Sequence, residues 1–137
     1  MPPGRGLWAM GSDFVYERGA MALYNCAYTD LTTREFSEDI SWLMDSLMHG
    51  VGVGFGPVRD DRMRIWEPQG QVTYRIPDSR EGWCESVRML IDAYMRPNEP
   101  KPIFDYSLIR EAGLPIRGFG GISSGPGPLR ELHQRIE

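Results

Sequence analysis

A helical pattern followed immediately by a glycine-laced apolar segment constrains the fold of this chain more than any other feature. In 35–50, "EFSEDISWLMDSLMHG", apolar residues recur every three or four positions, which predicts an amphipathic helix that Gly50 is placed to end. The next residues, "VGVGF" at 51–55, predict a short strand whose missing side chains let a ligand or another backbone approach closely. Upstream, "RGAMALYNCAY" from Arg18 to Tyr28 predicts a buried strand with Cys26 near its C-terminal end. This mixed order of elements predicts the α/β class.

The second half of the chain predicts a hairpin, a helix and a glycine-rich loop. In "RMRIWEPQGQVTYRI", apolar and polar residues alternate on both sides of a Pro68-Gln69-Gly70 turn, which predicts a β-hairpin. "DSREGWCESVRMLIDAYMRP" begins with Asp78 three residues ahead of Glu81, as a capping box does, and predicts a helix that stops at Pro97. The loop "RGFGGISSGPGPL", 117–129, leads into a final helical pattern that contains Leu129, Leu132 and Ile136.

Composition excludes several classes of protein. The 137 residues are 41% hydrophobic and 25% charged, which suits one ordinary domain or a piece of a larger one. The net charge is -4 and the basic residues are scattered, so polynucleotide binding is disfavoured. No apolar run approaches the roughly 20 residues of a spanning helix, and "MPPGRGLW" lacks the apolar region of a signal peptide. We therefore expect no membrane partner and a cytoplasmic location.

The two cysteines must be interpreted one at a time. Cys26 and Cys84 lie far apart, without a CxxC motif or a histidine at metal-ligand spacing, so neither a metal site nor a disulfide framework is expected. A lone cysteine in an apolar strand is usually a small buried hydrophobe, and the same interpretation applies to Cys84 on its helix. His49 and His133 have no partners at metal spacing and are interpreted as incidental.

Three segments have some of the features of phosphate sites. "GVGVGFG" lacks the GxGxxG spacing and follows a helix instead of preceding one, so it fails as a dinucleotide fingerprint. "GFGGISSGPGP" is either a surface loop or a set of bare amides and hydroxyls suited to a phosphate or a ribose. Arg110 and Arg117 are either solvated or a forked clamp on a phosphate chain. The residues alone do not decide between these alternatives.

The order of five motifs resembles one enzyme family. "PPGRGLW", "GAMALYNCAY", "LMDSLMHGVGVGF", "PDSREGW" and "FDYSLIREAGLPIRGFGGISSGPGPL" together cover nearly the whole chain. In this order they resemble the adenosylcobalamin-dependent (class II) ribonucleotide reductases, especially the monomeric ribonucleoside-triphosphate reductases. The resemblance implies part of a ten-stranded α/β barrel, with an inserted β-hairpin plus helix at 57–103 and an effector-type loop at 104–129. An unrelated small α/β domain would have to match all five motifs by coincidence.

The resemblance implies a role for each residue of the "NC" motif and of the glycine turn. Cys26 matches one of two thiols that reduce the 2'-carbon of the substrate after a thiyl radical on a third cysteine abstracts the 3'-hydrogen. Asn25 matches the position whose backbone borders the ribose, and Gly50, Val51 and Gly52 match the turn against which the nucleotide lies. A two-electron donor of this kind suits an apolar strand shielded from water.

The resemblance also implies an allosteric site. "IREAGLPIRGFGG" resembles the specificity-effector loop, in which two basic residues seven apart hold the triphosphate of a deoxynucleotide; Arg110 and Arg117 have that spacing. In the monomeric family, the insertion stands in for the dimer partner that completes the effector site.

The remaining parts of such an enzyme are expected outside this chain. The radical-bearing cysteine, its neighbouring glutamate, the second redox cysteine and the adenosylcobalamin contacts have no counterpart here, so we expect a fragment that is inactive by itself. Its implied partners are a ribonucleoside triphosphate, a deoxynucleoside triphosphate effector, a thioredoxin-type reductant and the rest of the reductase. The alternative is a stand-alone deoxynucleotide-binding or interaction module without catalysis.

Overall fold

A computed structural model describes residues 4–32, 35–58, 63–116 and 120–137 of the chain. Within these ranges helices and strands occur in mixed order, as predicted. The helices are α1 (Gly4–Ala9), α2 (Asp13–Arg18), α3 (Phe36–Met48), α4 (Arg80–Met95) and α5 (Gly127–Ile136), and a 3-10 turn covers Ala20–Leu23. The strands are β1 (Cys26–Asp30), β2 (Gly52–Gly56), β3 (Gln71–Arg75) and β4 (Lys101–Asp105).

The strand predicted from Arg18 to Tyr28 is wrong in its extent. Helix α2 ends at Gly19, whose φ of 87° turns the chain, and the 3-10 turn at Ala20–Leu23 follows. The residues Ala-Met-Ala-Leu are good helix formers without a β-branched side chain, which explains why this segment forms a helical turn and not a strand. The strand therefore starts at Cys26 and does not end near it.

The first half of the chain forms a β-α-β unit. β1 and β2 are parallel, with Cys26 opposite Gly52 and Asp30 opposite Gly56. Parallel neighbours need a crossover connection, and α3 provides it. Helix α3 matches the helix predicted from the apolar spacing, and it ends where Gly50 was expected to end it.

The second half repeats this arrangement, so the predicted hairpin is wrong. β3 pairs with β4 in parallel, and α4 makes the crossover. Residues 63–69 form no strand; instead the Trp66 N–H donates to the Tyr94 carbonyl at 2.7 Å and the Gln69 N–H to Glu99 at 2.8 Å. Alternating apolar residues predict extended chain but do not select its partner, and here the chain around α4 is the partner.

The core lies where the two β-α-β units pack through α3 and α4. Its buried members come from α4, α5 and the segments beside them, and α3 packs half-buried side chains against it; the buried set is Ile76, Val87, Ile91, Ile109 and Leu129. Asp92 of α4 also ties the helices together, because it accepts a hydrogen bond from Ser37 Oγ at 2.6 Å and pairs with Arg88 and Arg96. A ten-stranded barrel stays a prediction, since the described residues form two separate two-stranded sheets.

Candidate functional site

The structure brings Asn25, Cys26 and the glycine turn together. The Gly52 N–H donates to the Asn25 carbonyl at 2.9 Å, and Cys26 lies directly opposite Gly52 in the parallel pair. Two segments that are at least 24 residues apart in sequence thus meet at the amino-terminal edge of one sheet. This is the neighbourhood that the sequence predicts for a thiol beside a ribose.

Three glycines of β2 lie on the same side of the sheet as Cys26. Gly52, Gly54 and Gly56 stand opposite Cys26, Tyr28 and Asp30, and paired residues share a face. A Cβ on Gly54 would lie 3.4 Å from the Tyr28 ring, and one on Gly56 would lie 2.7 Å from Asp30 Oδ1. Tyr28 and Asp30 therefore lie over Gly54 and Gly56, whereas Gly52, next to the thiol, is exposed and lets a flat ligand approach its backbone closely.

Cys26 is exposed, and the prediction that it lies in a buried strand is wrong for this chain. Ala27 and Thr29, on the opposite face, are half-buried, and α3 contacts both strands, whereas Cys26, Tyr28 and Asp30 are exposed. No described element covers the Cys26 face, and this accounts for the difference. The thiol is accessible to a substrate or to another thiol.

Cys84, in contrast to Cys26, is not accessible to solvent. It is buried on α4, and burial raises the pKa of its thiol to about 11. Its Sγ lies 4.0 Å from Asp45 Oδ1. Because the thiolate is the reactive form, Cys84 is protonated and inert near neutral pH.

The glycine turn is a Schellman motif at the end of α3. The Gly50 N–H donates to Leu47 O at 2.8 Å and the Val51 N–H to Ser46 O at 3.0 Å, with Gly50 at a φ of 74°. Val51 is 1% exposed and anchors the turn from inside. The turn thus has a fixed shape between the helix and Gly52.

The effector-type loop is held by Arg110. Its Nε donates to Asp78 Oδ2 at 2.6 Å and its Nη1 to the Pro115 carbonyl at 2.9 Å. The loop closes on itself through an isolated antiparallel bridge from Pro115 to Ile122. Arg117, the second predicted clamp residue, lies outside the described residues, so the pair of arginines is not tested.

Asp78 is free to pair with Arg110 because it does not cap α4. The N-cap is Ser79, whose Oγ accepts a hydrogen bond from the Gly82 N–H at 3.0 Å. The capping position predicted from the sequence is therefore one residue too early. The "PDSREGW" motif thus supplies a cap and an arginine partner from adjacent residues.

A cavity of about 880 Å³ adjoins Arg110. It lies between the effector-type loop, the N-terminus of α4, the end of α3, and helices α1 and α2, and its size suits a nucleotide. The charged side chains that line it are Arg18, Arg80, Arg110, Asp13, Glu17, Asp78 and Glu81. The three arginines pair with carboxylates, so the lining of the cavity carries both positive and negative charges.

His49 lines the same cavity and is 2% exposed. Its Nδ1–H donates to the Asp45 carbonyl at 2.8 Å, and its buried Nε2 has no hydrogen-bond partner. Burial lowers the pKa of His49, so the ring is neutral near pH 7. No pattern in the sequence predicts this position for His49.

The relation to known proteins rests on a match over most of the chain. Residues 45–137 match the family described as "B12-dependent ribonucleotide reductase, insertion domain". The chain belongs to the B12-dependent ribonucleotide reductases. The resemblance inferred from the five motifs is therefore confirmed, whereas the narrower insertion predicted at 57–103 stays a prediction.

Several named reductases are similar to this family member over almost its whole length. The adenosylcobalamin-dependent ribonucleoside-triphosphate reductase of Euglena gracilis is 46% identical over 99% of this chain and 19% of its own length. The corresponding enzyme of Lactobacillus helveticus is 31% identical, over 96% of this chain and 25% of its own length. The chain thus spans between a fifth and a quarter of these relatives.

A solved structure has the same fold as this segment. It is a B12-dependent (class II) ribonucleotide reductase, with a TM-score of 0.74 and 24% identity, and the match covers 98% of this chain and 26% of that one. The match therefore includes both β-α-β units of this chain.

His133 of this reductase segment is not free to bind the metal of a cofactor. Both of its ring nitrogens are hydrogen-bonded inside the chain, to Ser86 Oγ at 3.0 Å and to the Tyr106 hydroxyl at 2.7 Å. The segment covers 19% to 25% of the relatives named above, which is consistent with a cobalamin site elsewhere in the enzyme. Within the described ranges there is also no group of three or more His, Cys, Asp or Glu placed to hold a metal ion.

Among the described residues, none of the helices combines the length and the apolar character needed to cross a membrane.

Proposed function

We propose that this chain provides one redox thiol and the effector loop of an adenosylcobalamin-dependent ribonucleoside-triphosphate reductase, which converts ribonucleotides to 2'-deoxyribonucleotides. The observation that carries the proposal is the position of Cys26, which is exposed beside the glycines of β2. Its neighbour Asn25 accepts a hydrogen bond from the Gly52 N–H and so joins this segment to the glycine turn. The names of the relatives and the family match support the same activity. The enzyme acts in the cytoplasm.

In the proposed reaction, Cys26 is one of two electron donors. The Cys26 thiol and a second thiol outside this chain form a disulfide and give up two electrons and two protons. The substrate loses its 2'-hydroxyl as water and gains a C–H bond, so the electrons balance. A thioredoxin-type reductant then returns the disulfide to two thiols. Adenosylcobalamin, bound by the rest of the enzyme, supplies the radical that starts the cycle.

In this proposal the ribose binds against the backbone of β2, beside Cys26. Gly52 is exposed and projects no side chain on the Cys26 face, so the sugar can lie against the strand there, within reach of the sulfur. Asn25 holds the edge of that surface through its carbonyl bond to Gly52. The open face of the sheet is covered in the whole enzyme by the remainder of the barrel, which excludes water from the radical chemistry.

The effector binds, in this proposal, in the cavity beside Arg110, with Arg117 as the second cation on the triphosphate. The cavity has the size of a nucleotide, and both the loop and the start of α4 line it. The second β-α-β unit packs on the first through α3 and α4, so it lies beside the first unit as a partner would. This packing supports the idea that the insertion replaces a dimer partner.

The test of the redox role is Cys26→Ser in the full-length reductase that contains this segment. Serine cannot form the disulfide, so turnover with a thioredoxin-type reductant is expected to fall by at least about 100-fold. Cys84→Ser is the matched control: its thiol is buried and protonated, and turnover per folded enzyme is expected to stay near the wild-type rate. Wild-type turnover by Cys26→Ser would rule out the assigned role.

A stand-alone nucleotide-binding module is the second candidate, because the cavity is formed by this chain alone. Saturating deoxynucleoside triphosphate is then expected to stabilise the isolated chain by about 2 to 3 kcal/mol at 100 times the dissociation constant, visible as a rise in Tm. Arg110→Ala should abolish the ligand-induced rise, whereas Arg135→Ala, on the exposed side of α5, should keep it. An equal rise in both variants would exclude Arg110 from the binding site.

A further inference from the structure

Arg5 of α1 bonds to the glycine turn. Its Nη1 donates to the His49 carbonyl at 2.9 Å, and its Nη2 donates to the Gly50 carbonyl. These two carbonyls follow the last turn of α3, where the helix leaves acceptors without partners inside the helix. One guanidinium thus bridges two consecutive acceptors, which a single-point donor cannot do.

Steric and electrostatic features support the same contact. A Cβ on Gly50 would lie 2.8 Å from Arg5 Nη2, so a side chain there would displace the guanidinium. The C-terminus of α3 carries the negative end of the helix dipole, which favours a cation at this place. The turn therefore needs glycine for two reasons: its positive φ and the approach of Arg5.

The far side of the same turn faces the proposed substrate surface. Two residues after Gly50, the Gly52 N–H bonds to the Asn25 carbonyl, next to Cys26. Only the buried Val51 separates the Gly50 carbonyl from the Gly52 N–H, so the backbone conformation at Gly50 sets the direction of this N–H. Arg5 and Asn25 thus hold the turn from opposite ends.

We propose that Arg5 is a positioning residue that fixes the Gly50–Gly52 turn in the shape that receives the ribonucleotide. The inference rests on the proposed function and assigns the "PPGRGLW" motif a role in it. Arg5 does not touch the substrate; it acts through the backbone of the turn. Loss of Arg5 is expected to loosen the turn first and to weaken nucleotide binding as a result.

Two measurements on the full-length protein that contains this segment test the proposal with Arg5→Gln and Arg5→Lys. Hydrogen exchange at the Val51 and Gly52 amides should accelerate about tenfold in Arg5→Gln, since two charge-assisted hydrogen bonds are lost. The dissociation constant of a ribonucleoside triphosphate should rise roughly three- to tenfold in the same variant. Lysine keeps the charge but donates from a single nitrogen and not from a planar fork, so Arg5→Lys should fall between Arg5→Gln and the wild type.

The control is Arg135→Gln, whose side chain pairs with Glu131 on the surface of α5. It should change neither measurement. Unchanged exchange at Val51 and Gly52 in Arg5→Gln overturns the proposal. Faster exchange with unchanged nucleotide affinity also overturns it, because Arg5 would then be structural only. A wild-type protein that binds no ribonucleotide would refute the proposed function itself, while the exchange data would still report on the Arg5 contact.

Discussion

The two cysteines show how far identical side chains differ once they are placed in the fold. Cys26 lies on an open strand face beside glycines, and Cys84 lies inside α4 with its pKa raised to about 11. Sequence reasoning on residue type alone interprets both as small buried hydrophobes, and this holds only for Cys84. The "NC" motif, and not its apolar neighbours, was the signal that separated them.

His133 illustrates a residue that the sequence left without a role. Ser86 Oγ lies 2.7 Å from the Trp83 carbonyl, which can only accept, so the Ser86 proton goes there. The Nε2 of His133 must then donate to Ser86, and its Nδ1 accepts from the Tyr106 hydroxyl. This neutral histidine joins α4 and α5 to the segment after β4, just before the effector-type loop.

Burial lowers the pKa of His133 to about 4, and this makes stability depend on pH. The neutral form is favoured in the folded state, so the stabilisation is complete above the unfolded pKa of 6.5 and is lost as pH falls towards 4. Between pH 7 and pH 5, the free energy of unfolding is expected to drop by about 2 kcal/mol more in the wild type than in His133→Gln. Urea titrations at the two pH values measure this difference.

Glutamine is the informative replacement for His133, because it offers one donor and one acceptor but does not titrate. The pKa of His49 is also lowered, but this residue is present in both proteins and cancels in the comparison. Equal pH dependence in the two proteins would show that folding does not lower the pKa of His133.

At the scale of elements, helices were predicted better than strands. Apolar spacing and end signals located α3, α4 and α5, because these signals are local. Strand pairing is not local. The alternation at 62–76 predicts extended chain, but only the structure shows that β3 pairs with β4 and not with the residues before Gly70. The 3-10 turn at Ala20–Leu23 was predicted as strand, because an apolar run does not by itself distinguish strand from helix.

In the candidate site too, the features set by neighbouring residues were predicted, and the contacts between distant residues were not. Helix α3 and its glycine end placed Gly50, Val51 and Gly52 correctly in a turn. The contact of that turn with Asn25 follows from the parallel pairing of β1 and β2, which no sequence pattern specified. The partners of the turn and of the loop, Arg5 and Asp78, lie 45 and 32 residues away from Gly50 and Arg110, and long-range pairs of this kind leave no periodic signal.

At the scale of the whole molecule, the chain is two β-α-β units packed through their helices. One unit carries Cys26 and the glycine face, and the other brings Asp78 to the effector-type loop. The sheets lie apart and the face around Cys26 is open, with Tyr28 on that face 64% exposed. Apolar side chains in such positions mark surfaces that the rest of a barrel covers in our proposal.

The most direct test is to follow the redox state of Cys26 through one turnover of the full-length reductase without external reductant. Differential alkylation and peptide mass mapping report the fraction of Cys26 in a disulfide, with Cys84 as the internal reference. Our account predicts that Cys26 becomes oxidised in step with deoxynucleotide formed, one disulfide per product, while Cys84 remains a thiol. Deoxynucleotide formed with Cys26 still a free thiol would contradict it.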